Sequence, residues 1–215
     1  MELFLAEGAQ VAFCARGAAG VLAAQEAFGE RAFGSAVVVT NPAEIESWIN
    51  AASERMGGID IGVPNVSASA GGGDLATWRK AFETDLLGTV SMATAALAFL
   101  KQSSAASIVL ISSVLGREVD MFAEPYGVLK AALIHYGKTL SVHHAPDGIR
   151  VNSVSPGNVY FADGVWERSS VRRRSSSPNA WHAIRWDGWR HRPRSRKRCG
   201  LSPVRQPASS PGRTF

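Results

Sequence analysis

The sequence has 215 residues, 46% apolar and 19% charged, a globular composition that excludes a collagen-like chain, a long coiled coil and wholesale disorder. No run approaches the roughly 20 apolar residues of a membrane span. The acidic start Met-Glu-Leu-Phe-Leu-Ala-Glu lacks the basic end of a secretory signal, and two cysteines, Cys14 and Cys199, exclude a disulfide scaffold and point to the cytoplasm. The net charge of +5 is divided: residues 168–215 hold twelve Arg, one Lys and one acid, leaving ten basic and seventeen acidic residues before them.

Residues Leu3 to Glu7 read as a helix end stopped at Gly8. Val11 to Ala15 is a short apolar run, hence a buried strand, and Ala18 to Phe28 is a helix ended by Gly29. Ala36-Val37-Val38-Val39 is β-branched and reads as the next strand. Pro42 opens a helix whose apolar positions Ile45, Trp48, Ile49 and Ala52 recur at spacings of three and four. A strand over Ile59 to Val63 and a loop over Ser67 to Gly73 precede one long helical stretch from Leu75 to Leu100. Ser107 to Ile111 is a strand, Tyr126 to His143 a long helix, and Ile149 to Val154 a further strand. Apolar strands alternating with helices predict an α/β fold with a doubly wound parallel sheet. Such sheets bind ligands at the carboxyl ends of their strands, so the loops after Cys14, Val63, Ile111 and Val154 should converge.

Those loops carry candidate chemistry. Tyr126 and Lys130 are four apart and share a helix face. A free tyrosine, with a pKa of about 10, is a poor acid–base group at neutral pH. A neighbouring ammonium favours the phenolate and should bring that value down. Ser113 ends a strand shortly before the Tyr126 helix, where its hydroxyl can hold a carbonyl oxygen beside the phenol. His135, His143 and His144 form no metal-ligand pattern with Cys or carboxylates, and Cys14 reads as a small core residue.

With these residues in order, the chain resembles the short-chain dehydrogenase/reductase family from Leu3 to about Glu167. Ile111-Ser112-Ser113-Val114-Leu115-Gly116 is similar to its serine segment, and Tyr126-Gly127-Val128-Leu129-Lys130-Ala131-Ala132 to its tyrosine–lysine helix. The stretch from Asp147 to Gly157 resembles its strand and Pro-Gly turn, and Asn65 falls where the family has an Asn-Asn-Ala-Gly turn. The resemblance implies a Rossmann-like fold and hydride transfer between a nicotinamide nucleotide and a small carbonyl or alcohol. Tyr126 would exchange the substrate proton. Lys130 would lower its pKa and bind the nicotinamide ribose, and Ser113 would orient the carbonyl. Arg16 resembles the basic residue that meets a 2′-phosphate, which favours NADP(H) over NAD(H). Asn65, Tyr126, Lys130, Pro156, Gly157 and Val159 complete the implied cofactor contacts.

Four departures stand out. Asp85 occupies the place of the family's catalytic Asn, where its charge and lack of amide donors alter the hydrogen bonding around a relay water. The turn after the fourth family strand reads Pro64-Asn65-Val66-Ser67, and Val38 stands where an acid usually meets adenine. The chain begins inside the helix that follows the family's first strand and glycine-rich phosphate loop. Without that central strand the sheet should divide in two, with reduced stability, poor NADP(H) binding and low activity in the 215-residue chain.

Residues 1–167 are thus expected to form an incomplete Rossmann-like domain. Residues 168–215, rich in Arg, Ser and Pro, are expected to be disordered and to lack the family's last strand. Their composition fits translation in a shifted frame from about Arg168. An alternative reading makes the chain an inactive remnant whose basic tail, with Trp181, Trp186 and Trp189, serves as a nucleic-acid or protein interaction segment. The primary reading expects no nucleic acid or membrane partner. By resemblance it expects a homo-oligomer built on the Leu75 and Tyr126 helices.

Overall fold

Residues 1–69, 72–119, 124–157 and 159 are described by a computed structural model. The tail beyond Glu167 and the substrate-loop positions Tyr160, Phe161, Val165 and Trp166 lie outside them. Among the described residues eleven helices and strands follow one another, with a π turn and a 3₁₀ turn between some of them: α1 (Glu2–Ala6), β1 (Val11–Ala15), α2 (Ala18–Phe28), β2 (Ala32–Ala36), α3 (Pro42–Met56), β3 (Ile61–Gly62), α4 (Leu75–Ala81), α5 (Gly88–Leu100), β4 (Ser107–Ile111), α6 (Tyr126–His143) and β5 (Arg150–Val154). Local chemistry accounts for the helix starts. Asn41 caps α3 by accepting from the Ala43 N–H, with Pro42 at the first helical position. Asp74 caps α4 by accepting from the Thr77 N–H and hydroxyl, both at 2.8 Å.

The described strands form two parallel sheets, β1-β2 and β3-β4-β5. This is the divided arrangement expected from the sequence. Register runs from Val11 opposite Ala32 to Ala15 opposite Ala36 in the first sheet, and from Ser107 opposite Arg150 to Ile111 opposite Val154 in the second. One apolar core serves both. Val37 and Val39 beyond β2 and Ile45 and Ile49 of α3 join Ala93, Ala96 and Leu100 of α5, Ile108 and Leu110 of β4 and Leu140 of α6. Among the described residues no helix is long and apolar enough to cross a membrane.

Three sequence expectations need correction. The second strand is not Ala36 to Val39 but Ala32–Ala36, Ala-Phe-Gly-Ser-Ala, of low β-propensity. Pairing with β1 decides its position; the Val37 N–H makes the last bond to β1, at the Ala15 carbonyl, and Val37 and Val39 enter the core while Val38 stays exposed. The third strand is shorter than Ile59 to Val63, with only Ile61 and Gly62 paired. The helical stretch from Leu75 to Leu100 is interrupted by a π-helical turn, Phe82–Leu87. Single π turns inside helices often re-aim one side chain, and here the buried side chain on that turn is Asp85.

Candidate active site

The carboxyl end of β4 leads directly into Ser112, Ser113 and a 3₁₀ turn, Val114–Gly116. Ser113 caps that turn by accepting from the Leu115 N–H at 3.2 Å. The turn packs on the first two turns of α6, and glycines on both partners permit the approach. A Cβ on Gly116 would sit 2.7 Å from the Lys130 carbonyl carbon, and one on Gly127 would sit 2.8 Å from the Leu115 oxygen. Both are backbone contacts that no side-chain rotation relieves. Two further hydrogen bonds lock the junction. The Ser112 hydroxyl donates to the Lys130 carbonyl at 2.7 Å, and the Val114 N–H donates to the Pro156 carbonyl at 2.9 Å.

This junction brings Ser113 close enough to Tyr126 for its hydroxyl to act on the phenol. One turn further along α6, Lys130 is buried, with its ammonium donating to the Ile111 carbonyl at 3.0 Å and lying 5.4 Å from the Tyr126 ring centre. Asp85, 1% exposed, faces it with Oδ2 at 3.9 Å from Nζ. The Asp85 carboxylate also accepts from the Ser67 hydroxyl and from the Ala68 N–H, each at 2.6 Å. The carbonyl of Asp85, within the π turn, accepts from the buried Thr89 hydroxyl at 2.7 Å.

The electrostatics differ from the sequence expectation. Lys130 was expected to bring the Tyr126 phenol down. Instead that phenol is held above its ordinary value, chiefly by burial. The Ser113 hydrogen bond pulls the other way, and the Asp85 charge adds to the rise. Lys130 itself is pushed below the usual lysine value by burial, with Asp85 opposing. The plain cause is burial, which strips the phenol of the water its charged form needs, while the Lys130 ammonium is bonded to the Ile111 carbonyl and faces Asp85.

The remaining predicted residues fall in two places. Pro156 is half-buried and joins the Ser113 turn through its carbonyl, while Asn65, Gly157 and Val159 are exposed. Arg16, exposed after β1, lines a separate groove of about 440 Å³ with Val38, Val39 and Thr40 beyond β2 and Ala76, Arg79, Lys80, Glu83 and Thr84 of α4 and the π turn. Thr84 faces the groove and Asp85 the buried cluster, so the π turn adjoins both. Sequence reading did not single out Arg79 and Lys80 of the groove, nor Ser67, Ala68 and Ser112 of the cluster. Small polar residues in a loop carry no distinguishing pattern until the fold supplies their partner. Cys14 matches its expectation as an unreactive thiol, pushed up to about 11 by burial. Among the described residues no group of His, Cys, Asp and Glu could hold a metal.

A family profile described as enoyl-(acyl carrier protein) reductase matches residues 2–183. Isoepoxydon dehydrogenase of Aspergillus clavatus is 36% identical over 177 residues, covering 78% of this chain and 68% of its own length. Its Penicillium expansum counterpart is 35% identical over 173 residues, 76% of this chain and 66% of its own length. The chain therefore spans about two thirds of these relatives. The crystal structure of a short-chain dehydrogenase from Streptomyces avermitilis superposes with a TM-score of 0.70 at 26% identity, covering 75% of this chain and 62% of that one.

Proposed function

The chain belongs to the short-chain dehydrogenase/reductase family, and on that premise we propose that it transfers hydride between a nicotinamide nucleotide and a small carbonyl or alcohol. The observation that carries the reading is one cluster: Ser113 and Tyr126 side by side, with Lys130 against the Tyr126 ring and Asp85 facing Lys130. Its residues have assignable roles. Tyr126 exchanges a proton with the substrate oxygen. Ser113, itself fixed by the 3₁₀ turn, donates to that oxygen and holds it beside the phenol. Asp85 and the Ile111 carbonyl hold the Lys130 ammonium in place.

The donor set also fits the cofactor. The Arg16 groove pairs an apolar wall, Val38 and Val39, with three cations, Arg16, Arg79 and Lys80. That combination suits a nucleoside carrying a phosphate, and supports NADP(H) over NAD(H). Lys130, Asn65 and the Pro156-Gly157 turn with Val159 would meet the nicotinamide end. A bound nicotinamide supplies the hydride. The same reading includes a cytoplasmic setting and a homo-oligomer, the latter supported by Leu75, Phe82, Leu87, Val128 and Val142, all exposed on α4, the π turn and α6.

The test is NADPH-dependent reduction of a panel of small ketones, followed by loss of NADPH absorbance. Tyr126→Phe should lower turnover by about 10²–10⁴-fold, the usual range for a positioned proton donor, while leaving NADPH affinity within a factor of about two. An unchanged rate in Tyr126→Phe overturns the assignment.

A further inference from the structure

Asp85 and Lys130 are a buried pair of opposite charges, and nothing in proton exchange at Tyr126 by itself requires the carboxylate. We propose that Asp85 is a positioning residue that neutralises Lys130, keeps Tyr126 in its phenol form, and so poises the site to give a proton to a carbonyl rather than to take one from an alcohol. This rests on the reading above that Tyr126 exchanges the substrate proton.

Both Asp85 oxygens accept: Oδ2 from Ser67, Oδ1 from the Ala68 N–H, each at 2.6 Å. A carboxylate has no O–H of its own and can accept on both oxygens at once, as it does here. With its side chain 1% exposed, that group is screened by water less than a surface carboxylate would be. The nearest counter-charge is Lys130, 4% exposed and 3.9 Å away. Seen from the phenol, the Asp85 charge opposes that of Lys130, and burial favours the neutral form. The raised phenol and the adding effect of Asp85 agree with this balance.

Among the described residues the other charges near the cluster are exposed, Glu124 before α6 included. The 64–69 loop presents only Ser67 and backbone to Asp85. The π turn's other acid, Glu83, is exposed toward the Arg16 groove. Arg117 and Glu118 beyond the 3₁₀ turn are exposed, as is Arg150 at the start of β5. Lys130 is the charged residue of α6 among those buried.

The chemical consequence follows. In reduction, a bound reduced nicotinamide would supply the hydride, its own C–H bond breaking and leaving it oxidised as a C–H bond forms at the carbonyl carbon. The C=O π pair moves to oxygen, the Tyr126 O–H bond breaks, and its proton forms the alcohol. The phenolate left behind then takes a proton from water. A resting phenol is ready for this step at neutral pH, whereas oxidation first needs the phenolate.

The experiment reads the phenol directly. Tyrosinate absorbance is titrated in the chain and in Tyr126→Phe, and the difference isolates Tyr126 from Tyr136 and Tyr160. The titration is repeated in Asp85→Asn, whose amide can turn to donate to Ser67 and accept from Ala68. The midpoint should move to lower pH in Asp85→Asn; an unmoved or higher midpoint overturns the proposal. Ser67→Ala removes one hydrogen bond to Asp85 but keeps its charge. A shift as large as that of Asp85→Asn would assign the effect to packing and also overturn it. If Asp85→Asn leaves Lys130 too poorly accommodated to fold, Asp85→Asn/Lys130→Met removes both charges. Mutual neutralisation predicts a midpoint like the parent's, and a midpoint as high as in Lys130→Met alone refutes it. The titration needs no turnover, so its outcome is independent of whether Tyr126→Phe abolishes reduction.

Discussion

In β4, Ser107, Ile108 and Leu110 are buried, and the strand is paired on both sides, by β3 and by β5. In β1 no residue is buried, in β2 only Ala32 is, and each has one strand partner among the described residues. The two halves also carry different parts of the candidate site. Ser113, Tyr126, Lys130 and Asp85 belong with the three-stranded sheet and α6. Arg16 follows β1, at a groove completed by Val38, Val39 and α4. Proton transfer demands placement within a fraction of an ångström, which close packing provides. A phosphate bound by flexible cations tolerates a softer base.

The comparison breaks most directly in stability. Leu110→Ala, at a fully buried position, should destabilise by about 2–5 kcal/mol in urea unfolding. Phe13→Ala on half-buried β1 should cost less than half as much. Equal losses would erase the asymmetry. Next in size, Gly116→Ala drives a methyl into the α6 backbone and should cost about 1–3 kcal/mol. It should also lower ketone reduction, because the turn carrying Ser113 must move off Tyr126. Unchanged stability and rate would show that the junction is looser than its geometry.

Binding sharpens the same contrast. Arg16→Ala should weaken NADPH about tenfold, as expected for one charge-assisted contact, and leave NADH nearly unaffected. Fluorescence titration of both nucleotides measures this, and equal loss for both would remove Arg16 from the 2′-phosphate. The smallest effect is a pH dependence at Cys14 on β1. Its thiol rises from 9.0 in the unfolded chain to about 11 when folded. Below the lower value both states hold the proton. Above it the unfolded state loses its proton first, so stability present below about 9 is lost as pH rises toward about 11. Thermal melts of the parent and of Cys14→Ala should diverge across that window, the parent falling faster.

Part of the site was legible because its cause is local. Tyr126 and Lys130 are one helical turn apart, so the 3.6-residue period alone puts them on one face. Ser-Ile-Val-Leu-Ile over 107–111 combines β-branching with apolarity, and its position as a strand ending at Ser112 follows. The same local logic misplaced β2, where Val37 to Val39 looked better than Ala-Phe-Gly-Ser-Ala. Strand identity there is decided by register with β1, an interaction no propensity contains.

What the sequence by itself determined was the order of elements, the family motifs and the partnership of Tyr126 with Lys130, since each depends on residues close in the chain. What only the tertiary structure decided was the electrical state of that partnership. Asp85 reaches Ser67 and Ala68 across 18 and 17 residues, and it meets Lys130 only because a π turn and α6 come together in the core. A buried charge acts through distance and the absence of water, and both are properties of the folded chain rather than of its sequence.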